Sequence, residues 1–380
     1  MDKLSAEHVR AYLDSYLSIY QGAIGSALMG KKGLRYMLTD SYEAAASNWT
    51  DRMIAEFQGR RGYDPRPWLP ALTGRVVESA EASDRFLWDF RRTLSDLIAD
   101  NHYGELSKQL HARGMGRYGE SHEVGRAFIG DGMEVKKSAD VPMGATWLGR
   151  AFYPNLTLPD IRESASVSHL YGQNLVAAES FTVGGGPTTS YAVAPEQIKP
   201  LADRMLANGL NRFVVHTSVH QPLDSLGPGI GLGPFGQWFT RKETWAEQAG
   251  AWVAYLARSS HLLQQGRFAA DIAYLYGEDE NITALFQQRA PAVPKGFAWD
   301  FVNADALRNI LTVKNGRIAA PSGASYRMLV LDPTTQRMTV PTLRKIRDLI
   351  SDGAVVVGAK PTDTPSLADD PAEFKRLADA

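Results

Sequence analysis

Five carboxylic side chains follow short apolar runs of the sequence: Asp40, Glu43, Glu120, Glu123 and Glu179. Cleavage of a glycosidic bond requires one carboxyl group to protonate the leaving oxygen and a second to activate water or to attack the sugar carbon. Tryptophan, tyrosine, histidine and arginine residues near these positions could stack on a sugar or bond its hydroxyl groups. The set as a whole favours chemistry on a carbohydrate, while each glutamate taken alone is equally well explained as a solvated loop residue or an ion-pair partner.

Histidines and aromatic residues supply candidates for contact with a substrate. His216 directly follows an apolar run, and His220 lies four residues further along. Two interpretations of His216 stay open: a contact with sugar hydroxyls, or a core histidine bonded to the backbone. We predict that both histidines, together with His122, Tyr118 and Trp238, bind the substrate.

A metal site is the second kind of site that the carboxylates could form. His122 lies between Glu120 and Glu123, but neither an H-E-x-x-H nor an H-x-H spacing is present to indicate zinc. Carboxylate oxygens are hard ligands, which favour calcium. From the residues alone, this grouping of Glu120, His122 and Glu123 could ligate a metal.

Strands that alternate with helices must position these residues. The predicted helices cover residues 7–28, 83–113, 161–174, 198–208, 245–265 and 341–352. The predicted strands cover residues 34–39, 116–119, 175–180, 212–216, 270–276, 297–302, 326–333 and 354–358. This alternation predicts a parallel α/β architecture, with the polar residues at the carboxyl ends of the strands, as in a (β/α)₈ barrel.

The predicted domains are a barrel portion over residues 1–293 and a doubly wound α/β unit over residues 294–380. We count five strand ends in the first domain, at Glu43, Glu120, Glu179, His216 and Tyr276, where a full barrel has eight. The expectation is a partial barrel that lacks its first strands, followed by a second unit that is incomplete at its C-terminus.

Composition excludes several function classes. The 380 residues carry 41 Lys and Arg against 42 Asp and Glu, a formal net charge of −1, so no basic field is available for nucleic acid or an anionic membrane. The absence of cysteine excludes thiolate zinc sites and cysteine nucleophiles. The glycine-rich segments 184–187 and 227–234 lack the register of phosphate-binding loops, and there is no G-x-S-x-G motif for a serine hydrolase.

Several runs taken together resemble the bacterial α-L-rhamnosidases of glycoside hydrolase family 106. The runs are residues 39–43 (TDSYE), 60–64 (RRGYD), 118–123 (YGESHE), 171–174 (YGQN) with 178–180 (AES), and 231–236 (GLGPFG). The resemblance implies an inverting hydrolase that removes terminal α-L-rhamnose from a glycan or glycoside, built on a (β/α)₈ barrel with calcium near the catalytic centre.

The resemblance also implies roles for the site residues. Glu43 would be the general acid, Glu179 the general base for water, and Asp40 a residue that positions or tunes Glu43, although the acid and base assignments could be reversed. Glu120 and Glu123 would hold calcium or the sugar.

The resemblance further implies that residues 294–380 form a flavodoxin-like domain. Family members are longer, begin with an export signal and act in the periplasm or outside the cell, whereas this sequence shows no such signal. Its location is therefore left open, and we expect the isolated chain to be poorly soluble or inactive.

Two alternatives remain at this point. One is a retaining barrel glycosidase similar to the β-galactosidases, in which the two carboxyl groups lie about 5–5.5 Å apart instead of about 6.5–9.5 Å in an inverting enzyme. The other is a non-catalytic carbohydrate-binding protein, in which the glutamates only accept hydrogen bonds from sugar hydroxyls.

Overall fold

A five-stranded parallel sheet carries the first part of the chain. The computed structural model describes residues 1–121, 130–148, 154–184 and 191–380. The strands lie side by side in chain order: β1 (Tyr36–Thr39), β2 (Gly116–Gly119), β3 (Val141–Leu148), β4 (Ala177–Val183) and β5 (Arg212–Val215). All neighbouring pairs are parallel, so the carboxyl ends of the strands meet at one edge, as in half of a barrel.

Helices connect these strands and cover one face of the sheet. They are α1 (Ala6–Ile24), α2 (Met53–Arg61), α3 (Ala80–Leu97), α4 (Glu105–His111), α5 (Gly132–Lys136), α6 (Pro154–Tyr171), α7 (Pro195–Leu206) and α8 (Ala249–Leu263). A π-helical segment, Ile98–Gly104, joins α3 to α4 into one long helical rod. The Ser79 side chain caps α3 by accepting a hydrogen bond from the Ala82 N–H, and Phe86 and Phe90 bury the apolar face of that helix against α2.

The predicted alternation is confirmed for this sheet, with one strand missed. β3 was not predicted because Pro142 and Gly144 interrupt its apolar pattern. Pro142 lies where β3 pairs only briefly with β2, so its lack of an N–H group costs the ladder little. Pro142 and Gly144 therefore concealed the central strand of this sheet from the sequence pattern.

A second parallel sheet follows, together with a small antiparallel one. Its strands are β6 (Ile272–Leu275), β7 (Trp299–Val302), β11 (Met328–Leu331) and β12 (Val355–Val357), in the spatial order β12-β11-β6-β7. Its helices are α9 (Ile282–Leu285), α10 (Ala304–Asn309), α11 (Val340–Ser351) and α12 (Pro371–Asp379). The antiparallel strands, which the sequence interpretation missed, are β8 (Thr312–Lys314), β9 (Arg317–Ala319) and β10 (Ser325–Tyr326).

The strand β6 corrects one count made from the sequence. Its end at Tyr276 was counted among the strand ends of the barrel, but β6 pairs with β7 and β11 in the second sheet. Both sheets are parallel and both have buried apolar strands, so the pattern of this segment could not tell to which sheet it belongs.

The α11 helix begins on two carboxylates. Glu278, just after β6, accepts hydrogen bonds from the Thr339 N–H at 2.8 Å and from the Thr342 hydroxyl at 3.0 Å. Asp369 accepts from the Val340 N–H at 2.8 Å. The unpaired N–H groups of this helix end are thereby satisfied by acidic side chains, whose negative charge also suits the positive end of the helix dipole.

The two sheets are joined through α6. Val167 and Leu170 of this helix belong to the same buried cluster as β6 and β7. Beside them, the His169 ring Nδ1 lies 2.8 Å from a carboxylate oxygen of the buried Asp300, and the Arg162 guanidinium lies 4.1 Å from the centre of the Trp299 ring. The helix α6 therefore lies between the two sheets, in contact with β3 of the first and β7 of the second. None of the helices in the part of the chain that the structure describes is long and apolar enough to cross a membrane.

A buried histidine in the π-helical segment predicts a dependence of stability on pH. Burial, with the nearby cations Lys3 and Arg117, lowers the pKa of His102 to about 4 from 6.5, and its Nδ1 is enclosed. Between about pH 6.5 and pH 4, His102 is protonated in the unfolded chain but stays neutral in the folded chain. The free energy of unfolding should therefore fall on acidification by up to about 1.4 kcal/mol per pH unit in this window.

Urea unfolding between pH 7 and 4 measures this effect. His102→Gln should flatten the slope, whereas the control His8→Gln, which replaces an exposed histidine on α1, should keep it. Identical slopes in the two variants would contradict the assignment to His102.

Candidate active site

The period of two along each strand places four polar side chains on one face of the first sheet. Ala178 packs on α6 and α7, so the neighbouring Glu179 points to the opposite, inner face. Leu38 pairs with Tyr118, so Asp40 and Glu120 come level two residues later on that same face. His216 lies two residues beyond Val214, which pairs with Glu179.

Three of these side chains form a cluster of carboxylates. Asp40, Glu120 and Glu179 each place one carboxylate oxygen within 4.8 Å of the others. Asp40 is exposed, Glu179 is half-buried and Glu120 is buried. Three negative charges this close repel one another, so the arrangement favours a bound cation or a bound proton. Oxygen ligands of this kind, one of them out of water, fit a hard divalent cation such as calcium.

A β-bulge shapes the environment of Glu179. The register of β3 and β4 slips between Thr146 and Trp147, and Phe181, the extra residue of β4, has a φ of +74° and packs its buried ring toward α7 and α8. The next residue, Thr182, is thereby turned back to the inner face, where its hydroxyl donates to the Glu179 carboxylate. The bulge thus supplies a hydrogen-bond donor that a regular strand would place elsewhere.

Burial raises the pKa of Glu179 above its ordinary value. The Thr182 hydrogen bond and the nearby His216 oppose this shift, while the charges of Asp40 and Glu43 add to it. The proton on Glu179 is therefore held more tightly than on a solvated glutamate, and a cation in the cluster would act in the opposite direction.

Glu43 lies beside the cluster on an exposed loop. Its charge is close enough to raise the pKa of Glu179, and its carboxylate accepts a hydrogen bond from the Ser41 hydroxyl at 3.0 Å. The loop is anchored at Tyr42, whose buried ring belongs to the core around α2 and α3 and whose N–H donates to the Ser121 carbonyl at 2.8 Å. Anchoring at Tyr42 fixes both Asp40 and Glu43, which flank it.

Buried polar residues under the sheet hold β1 and β2 in place. The Arg117 guanidinium donates to the Thr39 hydroxyl at 2.9 Å, one residue before Asp40, and to the Ser107 hydroxyl of α4 at 2.8 Å. The Ser121 hydroxyl, one residue after Glu120, donates to the Glu163 carboxylate of α6 at 3.1 Å. The ends of β1 and β2, which carry Asp40 and Glu120, are thus each fastened to a helix.

Glu163 itself belongs to a buried ion cluster. The Lys136 ammonium lies 2.9 Å from the Glu163 carboxylate and also donates to Asp160 and, at 3.0 Å, to the Ser164 hydroxyl. Burial raises the pKa of Glu163 to about 7 despite the Lys136 charge. Burial lowers the pKa of Lys136, but the two carboxylates outweigh it and raise the pKa above its ordinary value.

The other predicted substrate residues have different positions. His216 lies near Glu179, and its Nδ1 is buried without a hydrogen-bond partner among the described residues. Tyr118 lies two residues before Glu120 on the same face of the sheet. Its ring packs on Tyr36 and on the buried apolar side chains of β3 and β4. This packing accounts for Tyr118 without a substrate.

Trp238 and His220 lie in the long segment after β5. The Trp238 ring is only 7% exposed and is covered by Tyr191 and by the backbone of Gly231, so neither ring face is open for stacking on a sugar. His220 is exposed. The remaining predictions, His122 as a substrate residue and Glu123 as a metal ligand, lie outside the described residues.

Sequence reasoning missed two residues of the inner face. Thr182 was missed because a bulge cannot be read from alternation. Trp147 lies near the end of β3, four residues after the inward-facing Met143, and meets Phe235 edge to face at a ring distance of 5.8 Å. Recognition of β3 as a strand would have identified this tryptophan, since an aromatic residue at a strand end of the barrel is a common sugar platform.

Comparisons with known proteins agree with this geometry. A solved rhamnosidase from Novosphingobium sp. PP1Y is 45% identical with a TM-score of 0.96, over 100% of this chain and 36% of that one. A curated protein from Formosa agariphila, which carries the provisional name of a β-glucuronidase, is 38% identical over 100% of this chain and 31% of its own length. The chain thus spans about a third of the length of these relatives.

A more distant likeness concerns the fold alone. The cold-adapted β-galactosidase from Rahnella sp. R3 is 13% identical with a TM-score of 0.58, over 96% of this chain and 55% of that one. Family membership rests on the sequence profile of the α-L-rhamnosidases, which matches residues 1–380. Together with the motifs around Asp40, Glu120 and Glu179, this match shows that the chain belongs to glycoside hydrolase family 106, the α-L-rhamnosidases.

Proposed function

We propose that this chain forms the catalytic part of a glycosidase that removes terminal α-L-rhamnose from a glycan or glycoside with inversion at the anomeric carbon. The observation that carries the proposal is the group of carboxylates at the carboxyl edge of the first sheet, with Glu43 next to the cluster of Asp40, Glu120 and Glu179. Family membership supports the substrate.

In the proposed mechanism two glutamates exchange protons with the substrate and with water. Glu43, on the exposed loop, protonates the glycosidic oxygen as the bond to the anomeric carbon breaks. Glu179 accepts a proton from the water that attacks the opposite face of the sugar, and Thr182 orients its carboxylate. His216, near Glu179, would bond a sugar hydroxyl, and Asp40 acts on Glu179 through its charge.

We further propose that Asp40, Glu120 and Glu179 hold calcium. The fit rests on three carboxylate oxygens within 4.8 Å of one another, one of them on a buried side chain. Calcium bound there would offset the repulsion among the carboxylates and offer positions for sugar hydroxyl oxygens.

The finer features of the fold are also proposals. Five parallel strands in chain order support the architecture of a (β/α)₈ barrel. From the β7 side, the spatial order of the second sheet is β7-β6-β11-β12. Along the chain these are its second, first, third and fourth strands, an order that supports a flavodoxin-like unit. The pairing of β6 favours a boundary between α8 and β6 over the predicted one at residue 294.

Hydrolysis of p-nitrophenyl α-L-rhamnoside tests the function, with the 380-residue chain and with a longer version that includes flanking sequence. Proton NMR of the first product should show the inverted anomer. A retained anomer would contradict the mechanism, and cleavage of other glycosides in place of the rhamnoside would contradict the substrate.

Removal of one proposed ligand should weaken calcium binding. We expect Glu120→Gln to reduce calcium affinity, measured by isothermal titration calorimetry, by more than about tenfold, the low end of what loss of even a supporting residue costs a metal site. Glu247→Gln, at an exposed glutamate before α8, is the control. Equal affinities in the two variants would place the metal elsewhere.

A further inference from the structure

A cavity lies beside the loop that carries Glu43. Its volume is about 430 Å³, within the range of about 300–1,000 Å³ usual for small-molecule sites. One wall is the segment 46–48, which continues from Glu43, and another is formed by Gly130 and Asp131, on the connection that follows β2. The segment 278–281 after β6 and the helix α3 complete it. Three of its four walls therefore follow the carboxyl ends of strands, as the carboxylate cluster does.

Most charged groups around this cavity already have ion-pair or hydrogen-bond partners within the chain. Arg92 is paired with Glu134 and Asp96. Asp131 accepts hydrogen bonds from the Tyr276 hydroxyl at 2.5 Å and from the Asn303 amide at 3.0 Å. These groups form a fixed polar wall, and the Asp131 carboxylate, whose hydrogen-bond partners here are neutral donors, keeps its negative charge and disfavours an anionic ligand.

The groups left to bind a ligand are of the kinds that recognise sugars. Among the described residues Arg91 and Glu280 have no ion-pair partner, and the Asn48 amide is exposed. The Trp88 ring is half-buried and is oriented by its N–H, which donates to the Asp279 carboxylate at 2.5 Å. The cation, the carboxylate and the amide form hydrogen bonds with hydroxyl groups, and the aromatic ring stacks on the apolar face of a pyranose. Arg91 and Glu280 cancel in charge, and the carboxylates of Asp131 and Asp279 repel an anion, so the ligand that the cavity suits is an uncharged sugar rather than an acidic one.

We propose that this cavity binds the neutral sugar to which the terminal rhamnose is attached. This inference rests on the proposed function, because it takes Glu43 as the acid that protonates the leaving oxygen. That oxygen belongs to the attached sugar, and the chain from Glu43 leads directly into the cavity wall at residues 46–48. The enzyme would accordingly prefer a rhamnose-containing oligosaccharide to a rhamnoside with a small apolar aglycone.

The test compares two substrates across matched variants. The substrates are p-nitrophenyl α-L-rhamnoside and a disaccharide with α-L-rhamnose attached to a neutral hexose. Arg91→Ala and Trp88→Ala should each lower kcat/KM for the disaccharide about tenfold more than for the p-nitrophenyl substrate, the effect of losing one good contact. Arg258→Ala, at an exposed arginine on α8, is the control and should change both values equally.

The outcomes separate this inference from the proposed function. Equal losses for both substrates in Arg91→Ala and Trp88→Ala, or no loss for either, would overturn the subsite. If the unaltered chain and its longer version cleave neither substrate, the proposed function fails, and calorimetric binding of the disaccharide then decides. Binding that Arg91→Ala weakens would support the cavity, and the absence of binding would overturn it.

Discussion

Glu43→Gln should lower kcat for a rhamnoside with a poor leaving group by about 10²–10⁴-fold, because glutamine cannot donate the proton that the leaving oxygen requires. The loss should be much smaller for a 2,4-dinitrophenyl rhamnoside, whose leaving group departs without a proton. Glu179→Gln should lower kcat for both substrates by similar factors, because every substrate needs the activated water. Steady-state rates on the two substrates measure the difference.

The same experiment distinguishes the two assignments of acid and base. If the loss of kcat depends on the leaving group in Glu179→Gln and not in Glu43→Gln, then Glu179 is the acid and Glu43 the base. Glu7→Gln, at an exposed glutamate on α1, controls for a change of charge and should leave both rates unchanged. Ordinary rates in Glu43→Gln and Glu179→Gln would contradict the catalytic proposal and favour a carbohydrate-binding protein.

Lys136→Met should destabilise the fold by about 3–5 kcal/mol, because it leaves the carboxylates of Asp160 and Glu163 buried without their cation. The free energy of unfolding from urea titration, followed by tryptophan fluorescence, measures this loss. Lys199→Met, which removes an exposed and solvent-screened pair with Asp203, is the control and should leave the urea midpoint nearly unchanged.

A triple variant checks the cause of that loss. Adding Asp160→Asn and Glu163→Gln to Lys136→Met removes the two unpaired charges and should recover part of the stability. If Lys136→Met unfolds at the same urea concentration as the unaltered chain, the buried ion cluster does not support the site in the way that its contacts indicate.

The sequence could predict those parts of the fold in which periodicity is unbroken. The strands β2 and β5 were predicted to within one residue. The start of α1 was predicted equally well from its apolar spacing, but the helix ends at Ile24 and is capped by Gly25, four residues before the predicted end. The strand β3 was missed, because a proline and a glycine are tolerated where a strand pairs briefly, which depends on its neighbours. The assignment of β6 to the wrong sheet has the same origin, since sheet membership is a tertiary property.

Prediction of the site had a similar limit. Sequence placed Asp40, Glu120 and Glu179 at strand ends, and the structure brings them together because alternate positions of parallel strands share a face. It did not predict the contribution of Thr182, which depends on the bulge at Phe181, nor the cover over Trp238, which comes from residues distant along the chain. Chemistry-bearing residue types are visible in a sequence, whereas their exposure and partners are set by packing.

The two carboxylates at the start of α11 determine which ligands the second sheet can accept at this helix end. In open parallel sheets, phosphates bind between the two strands where the strand order reverses, at a helix N-terminus, and here those strands are β6 and β11. Glu278 and Asp369 supply the negative charge at that crevice from within the chain. A phosphate group would have to displace both of them and would meet their repulsion, so the chain's own side chains close this helix end to an anionic ligand.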